Sequence, residues 1–152
     1  MRTVLFICTG NTCRSPLAEG IAQQLADTGS LPKELGAIFF ASAGVAAFDG
    51  AATSEETVAV LERMHAPVPE HAKRLTAKMI RGADLVLAMT ASHVARAQSL
   101  VEGDAAASAR IVLLDPDGDI ADPIGLGQRA YDTLAVQFSE LIPKRLTGML
   151  IS

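Results

Sequence analysis

Near the start of the chain, Cys8-Thr9-Gly10-Asn11-Thr12-Cys13-Arg14-Ser15 brings two thiols, a guanidinium and a hydroxyl into one short stretch. Five residues separate Cys8 from Arg14, close enough for one tight loop to present both to the same guest. A guanidinium is a planar fork that matches two oxygens of a phosphoryl group. A thiol beside such a charge has its pKa drawn from ~8.5 into the range ~3.5–7.5, and the resulting thiolate is a nucleophile. The chemistry these types suggest is attack of Cys8 on a bound phosphorus, forming a cysteinyl phosphate. The competing reading of Cys8 is a small core residue, since free cysteine is often simply buried.

The neighbouring elements decide between the two readings. Val4 to Ile7 reads as a buried strand, and Ser15 to about Asp27 as a helix with Leu17, Ile21 and Leu25 on one face. Ser15 fits an N-cap and Pro16 a first helical position. Open α/β sheets bind ligands beyond the carboxyl ends of their strands, which is where Cys8 falls. Residues Thr9, Gly10, Asn11, Thr12, Cys13, Arg14 and Ser15 then form a loop whose backbone N–H groups can curl around an anion. Gly10 permits backbone conformations that a side chain would resist. The following helix aims its positive end at the same point. The Ser15 hydroxyl is placed to donate to the Cys8 sulfur. Strand, loop and helix together favour a phosphate cradle over a structural cysteine.

The pattern of short apolar runs and longer amphipathic segments continues to the C-terminus. Strands are expected over Ala37 to about Ser42, in "DLVLAMT" and in "RIVLL". Helices are expected in "TSEETVAVLERM", in "KRLTAKMIRGA", from Ser92 to about Leu100, and from about Gln128 to Leu146. In the last of these, Tyr131, Leu134, Phe138, Leu141 and Ile142 share a face. This alternation predicts a four-stranded parallel sheet flanked by helices, a three-layer α/β domain spanning residues 1–152.

Composition agrees. Hydrophobic residues at 49% and charged residues at 20% describe a globular chain, not a disordered one. A net charge of −4 leaves no basic footprint for nucleic acid or an anionic membrane. No stretch approaches the roughly 20 apolar residues of a membrane span, and the short run Thr3 to Ile7 does not make a signal-peptide core. With only two cysteines and no disulfide framework, the chain reads as cytoplasmic.

A leaving group needs a proton donor. Four aspartates crowd the turn-rich segment after the last strand: Asp115, Asp117, Asp119 and Asp122. Two precede proline, which fixes the following backbone and can hold a carboxylate's direction: Asp115-Pro116 and Asp122-Pro123. Asp115 directly follows the strand and reads as a turn residue. Of the histidines, His65 and His93 fall on helical segments without metal-ligand spacing and read as structural or solvated.

"VLFICTGNTCRSPLAEG" resembles the opening of the low-molecular-weight protein tyrosine phosphatase family, most nearly its bacterial protein-arginine phosphatase branch. The likeness runs on through "SAGV", "ADLVLAMT" and "DIADPIG". It implies hydrolysis through a phosphocysteine on Cys8, with Arg14 binding the phosphoryl group, Asp122 as acid and then base, and no metal or organic cofactor. It also implies that Asn11 holds a strained backbone through Ser15, Ser42 and His71, with Arg74 structural. Cys13 would be a disulfide partner for Cys8 under oxidation, or else a core filler. Phosphorylated proteins are the implied substrates and inorganic phosphate the product, with the enzyme a monomer.

Within that family, tyrosine-specific members carry a bulky aliphatic residue at the position of Thr12 and aromatics at Ile124 and Gly125. Thr12 and the Asp-Pro-Ile-Gly run therefore point to phosphoarginine, with Phe48 expected as one apolar wall. Phosphotyrosine is the nearest rival. An arsenate reductase would need further relay cysteines. A catalytically dead phosphate-binding module would not require Cys8, Arg14 and Asp122 together.

Overall fold

The run from Val4 to Cys8 lacks polar alternation because both faces of its strand are covered. The computed structural model describes residues 1–151. Its strands are β1 (Arg2–Cys8), β2 (Ile38–Gly44), β3 (Leu85–Ala88) and β4 (Ile111–Leu113). Its helices are α1 (Arg14–Asp27), α2 (Glu55–Arg63), α3 (Ala77–Gly82), α4 (Ala91–Leu100), α5 (Ala105–Ala109) and α6 (Gln128–Leu150). The strands form one parallel sheet in the order β2-β1-β3-β4.

Successive strand side chains point to opposite faces. Val4 and Phe6 therefore pack with Leu17 and Ile21 of α1, Leu61 of α2, and Phe138 and Ile142 of α6. Leu5 and Ile7 enter the other core, with Ile80 of α3, Ala97 of α4 and Ala107 of α5. The result is the three-layer α/β arrangement anticipated from the alternation of segments.

The ends of some elements differ from expectation. The long helix α6 continues past Leu146 to Leu150, because Ile142, Leu146 and Leu150 extend one apolar row into the core. The short helix α5 is an additional element, its alanines started by the Asp104 carboxylate, which accepts from the Ala107 N–H at 3.0 Å. Strand β4 is three residues long, shorter than the apolar run that contains it.

This order places the site. From β1 the chain moves outward to β2, then crosses back to build β3 and β4 on the other side. Strand order reverses beside β1, and such a switch point leaves a crevice at the strands' carboxyl ends. β1 ends there on Cys8, opposite Gly44 of β2.

Candidate active site

Residues 9–13 join β1 to α1 as a loop without hydrogen-bonded turns of its own. Among the described residues, none accepts from the backbone N–H groups of Gly10, Thr12 or Cys13. Gly10 and Thr12 are half-buried and Cys13 is buried, and all three line a cleft. Its walls are Cys8, Thr9, Gly10, Thr12, Cys13, Arg14, Asp122 and Ile124, enclosing about 210 Å³. The first turn of α1 adds further N–H groups that no preceding helical carbonyl can reach.

Ser15 is not the N-cap that its sequence position suggests. Cys13 holds that position, and no side chain caps the helix. A capping hydroxyl would consume a loop amide. Ser15 instead lies inside α1 and is fully buried, its Oγ 2.9 Å from Cys8 Sγ. The Asn11 Nδ2 donates to that same Oγ at 2.8 Å, which leaves the Ser15 hydrogen to the sulfur or to the Ala43 carbonyl, 3.5 Å away. The Asn11 backbone N–H also donates to Cys8 Sγ, at 3.3 Å. The Ser15 hydroxyl and the Asn11 N–H thus meet one sulfur at the base of the cleft.

Asn11 organises the loop. Its φ of 55° lies in the left-handed region, which costs a non-glycine residue energy unless its surroundings hold it there. Its side chain supplies that hold. Nδ2 donates to Ser15 and, at 2.9 Å, to Ser42 Oγ on β2. Ser42 in turn donates to Glu19 Oε1 at 2.7 Å. Oδ1 accepts from the Lys73 backbone N–H at 2.9 Å.

Here the structure departs from the expected set. His71 points to solvent, with Nε2 3.9 Å from Glu70 and no bond to Asn11. The segment around it runs extended, bridging Ala52 at His71 and Gly44 at Arg74. Lys73 therefore offers its backbone amide to Asn11. Arg74 likewise acts through its main chain, donating its N–H to Asp49 Oδ1 at 2.7 Å, while its side chain is exposed.

Gly44 completes the support. A Cβ there would lie 2.5 Å from the Thr9 carbonyl oxygen and 2.8 Å from the Asn11 nitrogen. Only glycine lets β2 pass this close to the loop.

Arg14 is 5% exposed, and its Nη1 donates to the Ile120 carbonyl at 2.8 Å. Its Nη2 lies 3.6 Å from Asp122 Oδ2, while Asp122 Oδ1 accepts from the Ile124 N–H at 3.1 Å. Asp122 is thus the aspartate that the structure brings into the cleft. Asp115 is used by its own turn, accepting from the Asp117 N–H. Asp119 accepts from the Ala91 N–H at the start of α4, and Asp117 is exposed. Thr12 and Ile124 line the cleft. Phe48, 82% exposed, and Gly125 stand outside its lining. Cys13 is a free thiol packed in the core, its Sγ 3.4 Å from the Tyr131 hydroxyl. Burial, followed by Cys13, pushes the Tyr131 phenol well above the ordinary tyrosine range.

Two participants escaped the sequence reading. Glu19 is one turn beyond Ser15 on α1, a spacing that shares a helix face and would have flagged it. Burial raises its carboxyl above the usual range, partly offset by the Ser42 hydrogen bond and by Lys73. The second, His93, carries no sequence signal, because only the fold of α4 brings it beside Thr9. Its Nε2 is 2.8 Å from Thr9 Oγ1. His65, by contrast, is exposed.

A thiol, free loop amides and a buried guanidinium at the switch point of a parallel sheet define a class of α/β proteins built around an oxyanion loop. The chain belongs to the low molecular weight phosphotyrosine protein phosphatase family, which matches residues 3–149. It is 35% identical over 145 residues to the low molecular weight protein-tyrosine-phosphatase PtpB of Staphylococcus haemolyticus, covering 91% of each chain. It is 30% identical over 141 residues to the protein-arginine-phosphatase of Bacillus subtilis, again covering 91% of each. It also resembles a solved structure of a YwlE arginine phosphatase mutant with a phosphorylated active-site serine. That likeness has a TM-score of 0.83 at 28% identity and covers 96% of this chain and 94% of the other. The protein is a phosphatase of this family.

Proposed function

We propose that this phosphatase removes the phosphoryl group from phosphoarginine in proteins, with Cys8 as nucleophile. The sulfur attacks phosphorus, and the P–N bond to the guanidino group breaks. Asp122 gives its proton to the departing nitrogen, and the product side chain leaves as arginine. The Asp122 carboxylate then takes a proton from water as the water oxygen attacks phosphorus, and the S–P bond breaks to release inorganic phosphate. Loop amides and Arg14 hold the phosphoryl oxygens through both steps, as preorganised donors do for developing negative charge. The active-site serine phosphorylated in the YwlE mutant supports a covalent phosphoryl intermediate by likeness.

One observation carries the choice of substrate. The cleft around Cys8 is flanked by the Thr12 hydroxyl and the Asp122 carboxyl, and among the described residues no aromatic side chain lines it. A planar guanidinium finds hydrogen-bond acceptors there in the Thr12 hydroxyl and the Asp122 carboxyl. A phenyl ring would find only Ile124 as an apolar wall.

The test is competition between phosphoarginine and phosphotyrosine peptides of one sequence. Phosphoarginine is expected to have the higher kcat/KM by at least about tenfold, a difference of ~1.4 kcal/mol in transition-state binding. Thr12→Ile should move the ratio toward phosphotyrosine. Faster phosphotyrosine turnover by the wild type, or an unchanged ratio in the variant, would refute the assignment.

A further inference from the structure

We propose that His93 is a positioning residue for the oxyanion loop, its Nε2–H bond to Thr9 making the threonine hydroxyl a donor into the cleft. The inference rests on the reading above, that the cleft holds a phosphoryl group.

His93 lies in the first turn of α4, which Thr90 caps by accepting the His93 N–H at 3.2 Å. The imidazole is 4% exposed and reaches across to the loop, where Nε2 meets Thr9 Oγ1 at 2.8 Å. Its Nδ1 is buried, and no described residue bonds to it. This asymmetry selects the tautomer. A proton on Nδ1 would be an orphaned buried donor, whereas a bare lone pair there is the lesser cost. The proton therefore sits on Nε2 and is donated to Thr9.

Neutrality follows from the same surroundings. Burial and then Arg14 hold the imidazole down to about 4 from an ordinary 6.5, with Arg96 acting in the same direction and Asp119 and Asp122 opposing. An imidazolium would place a second N–H in the spot that offers it no acceptor.

Thr9 is exposed at the cleft mouth, and among the described residues its hydroxyl hydrogen meets no acceptor. Oγ1 is occupied as an acceptor by His93, and no other described residue bonds to it. Thr9 lines the cleft beside Cys8, Gly10 and Arg14. Its O–H is open to an oxygen of the guest, which replaces solvent there, and the buried imidazole fixes the rotamer that keeps it so. A freely turning threonine would give up rotamer entropy on each binding event.

Inorganic phosphate is the probe, measured as a competitive inhibitor of p-nitrophenyl phosphate hydrolysis and by calorimetry, in wild type, Thr9→Val, His93→Leu, the double variant and His93→Gln. Wild type should bind phosphate, and each of the first two variants should bind it about tenfold more weakly. The double variant should be no more than about threefold worse than either, because both substitutions remove one shared donor. His93→Gln, which keeps an N–H near the Nε2 position, should recover to within about threefold of wild type.

Wild-type affinity in His93→Leu, or losses that multiply to about a hundredfold in the double variant, would overturn the inference and leave the cleft's assignment standing. Failure of the wild type to bind phosphate would overturn both. Imidazole ¹⁵N resonances of the wild-type protein give a readout that needs no variant to fold. An Nε2–H tautomer supports the arrangement, and an Nδ1–H tautomer refutes it.

Discussion

Asn11 shows how much one side chain can hold. Its backbone sits at φ 55°, and three side-chain hydrogen bonds keep it there while its own N–H reaches the Cys8 sulfur. Alanine would retain the left-handed strain and lose all three bonds. Each buried bond contributes ~1 kcal/mol, and a displacement near 1 Å at a reacting group can lower a rate by ~100-fold. Asn11→Ala is expected to fold with a lowered melting temperature and a kcat reduced by ~10–100-fold, measured on p-nitrophenyl phosphate. Asn11→Gly removes the strain without restoring the bonds. It should be the more stable of the two and no more active, a split that separates strain from positioning.

At the scale of elements, the loop is built by neighbours packed around it. Strand β2 approaches so closely that Val45 N–H donates to the Cys8 carbonyl and Ala46 N–H to the Thr9 carbonyl, both at 2.9 Å. Gly44 makes the approach possible. Gly44→Ala forces a methyl group against main-chain atoms that cannot swing aside, and overpacking of this kind costs about 1–3 kcal/mol. The expected result is a melting temperature lowered by several degrees, together with weakened phosphate binding as the loop is pushed off β2. Loss of stability with normal phosphate affinity would show that β2 supports the fold and not the loop.

Over the whole molecule, titration of the site feeds back on stability. His93 has a folded pKa near 4 against an ordinary 6.5, so the unfolded chain binds its proton first as pH falls. His93 therefore stabilises the fold fully above about pH 6.5, and that contribution is lost as pH falls toward about 4. The loss amounts to at most about 3 kcal/mol, less whatever solvent at the cleft rim screens. Glu19 works in the opposite sense, since burial favours its neutral form and its charge disfavours the fold as pH rises. Denaturant unfolding of wild type and His93→Leu at pH 7, 5.5 and 4.5 checks the sign. The variant should show the shallower decline, and parallel curves would mean that His93 does not titrate as its surroundings require.

The sequence by itself determined the sheet, its helical cover apart from α5, and the loop, because these follow from local regularities. Apolar runs make buried strands, a 3.6-residue period makes amphipathic helices, and Cys8 to Ser15 lies on one continuous stretch whose spacing is its geometry. What depends on distant segments meeting was decided only in the tertiary structure. The family resemblance makes His71 a partner of Asn11, yet the extended run through Ala72 and Lys73 turns a backbone amide inward instead. Four aspartates in one segment look alike in sequence, and the path of the chain after β4 is what carries Asp122 to Arg14. His93 reaches Thr9 across 84 positions of chain, a contact no local pattern can encode. Side-chain type records what a residue can do. Which group it meets is set by packing, where a shift of one residue along an extended segment exchanges a side chain for a main-chain N–H.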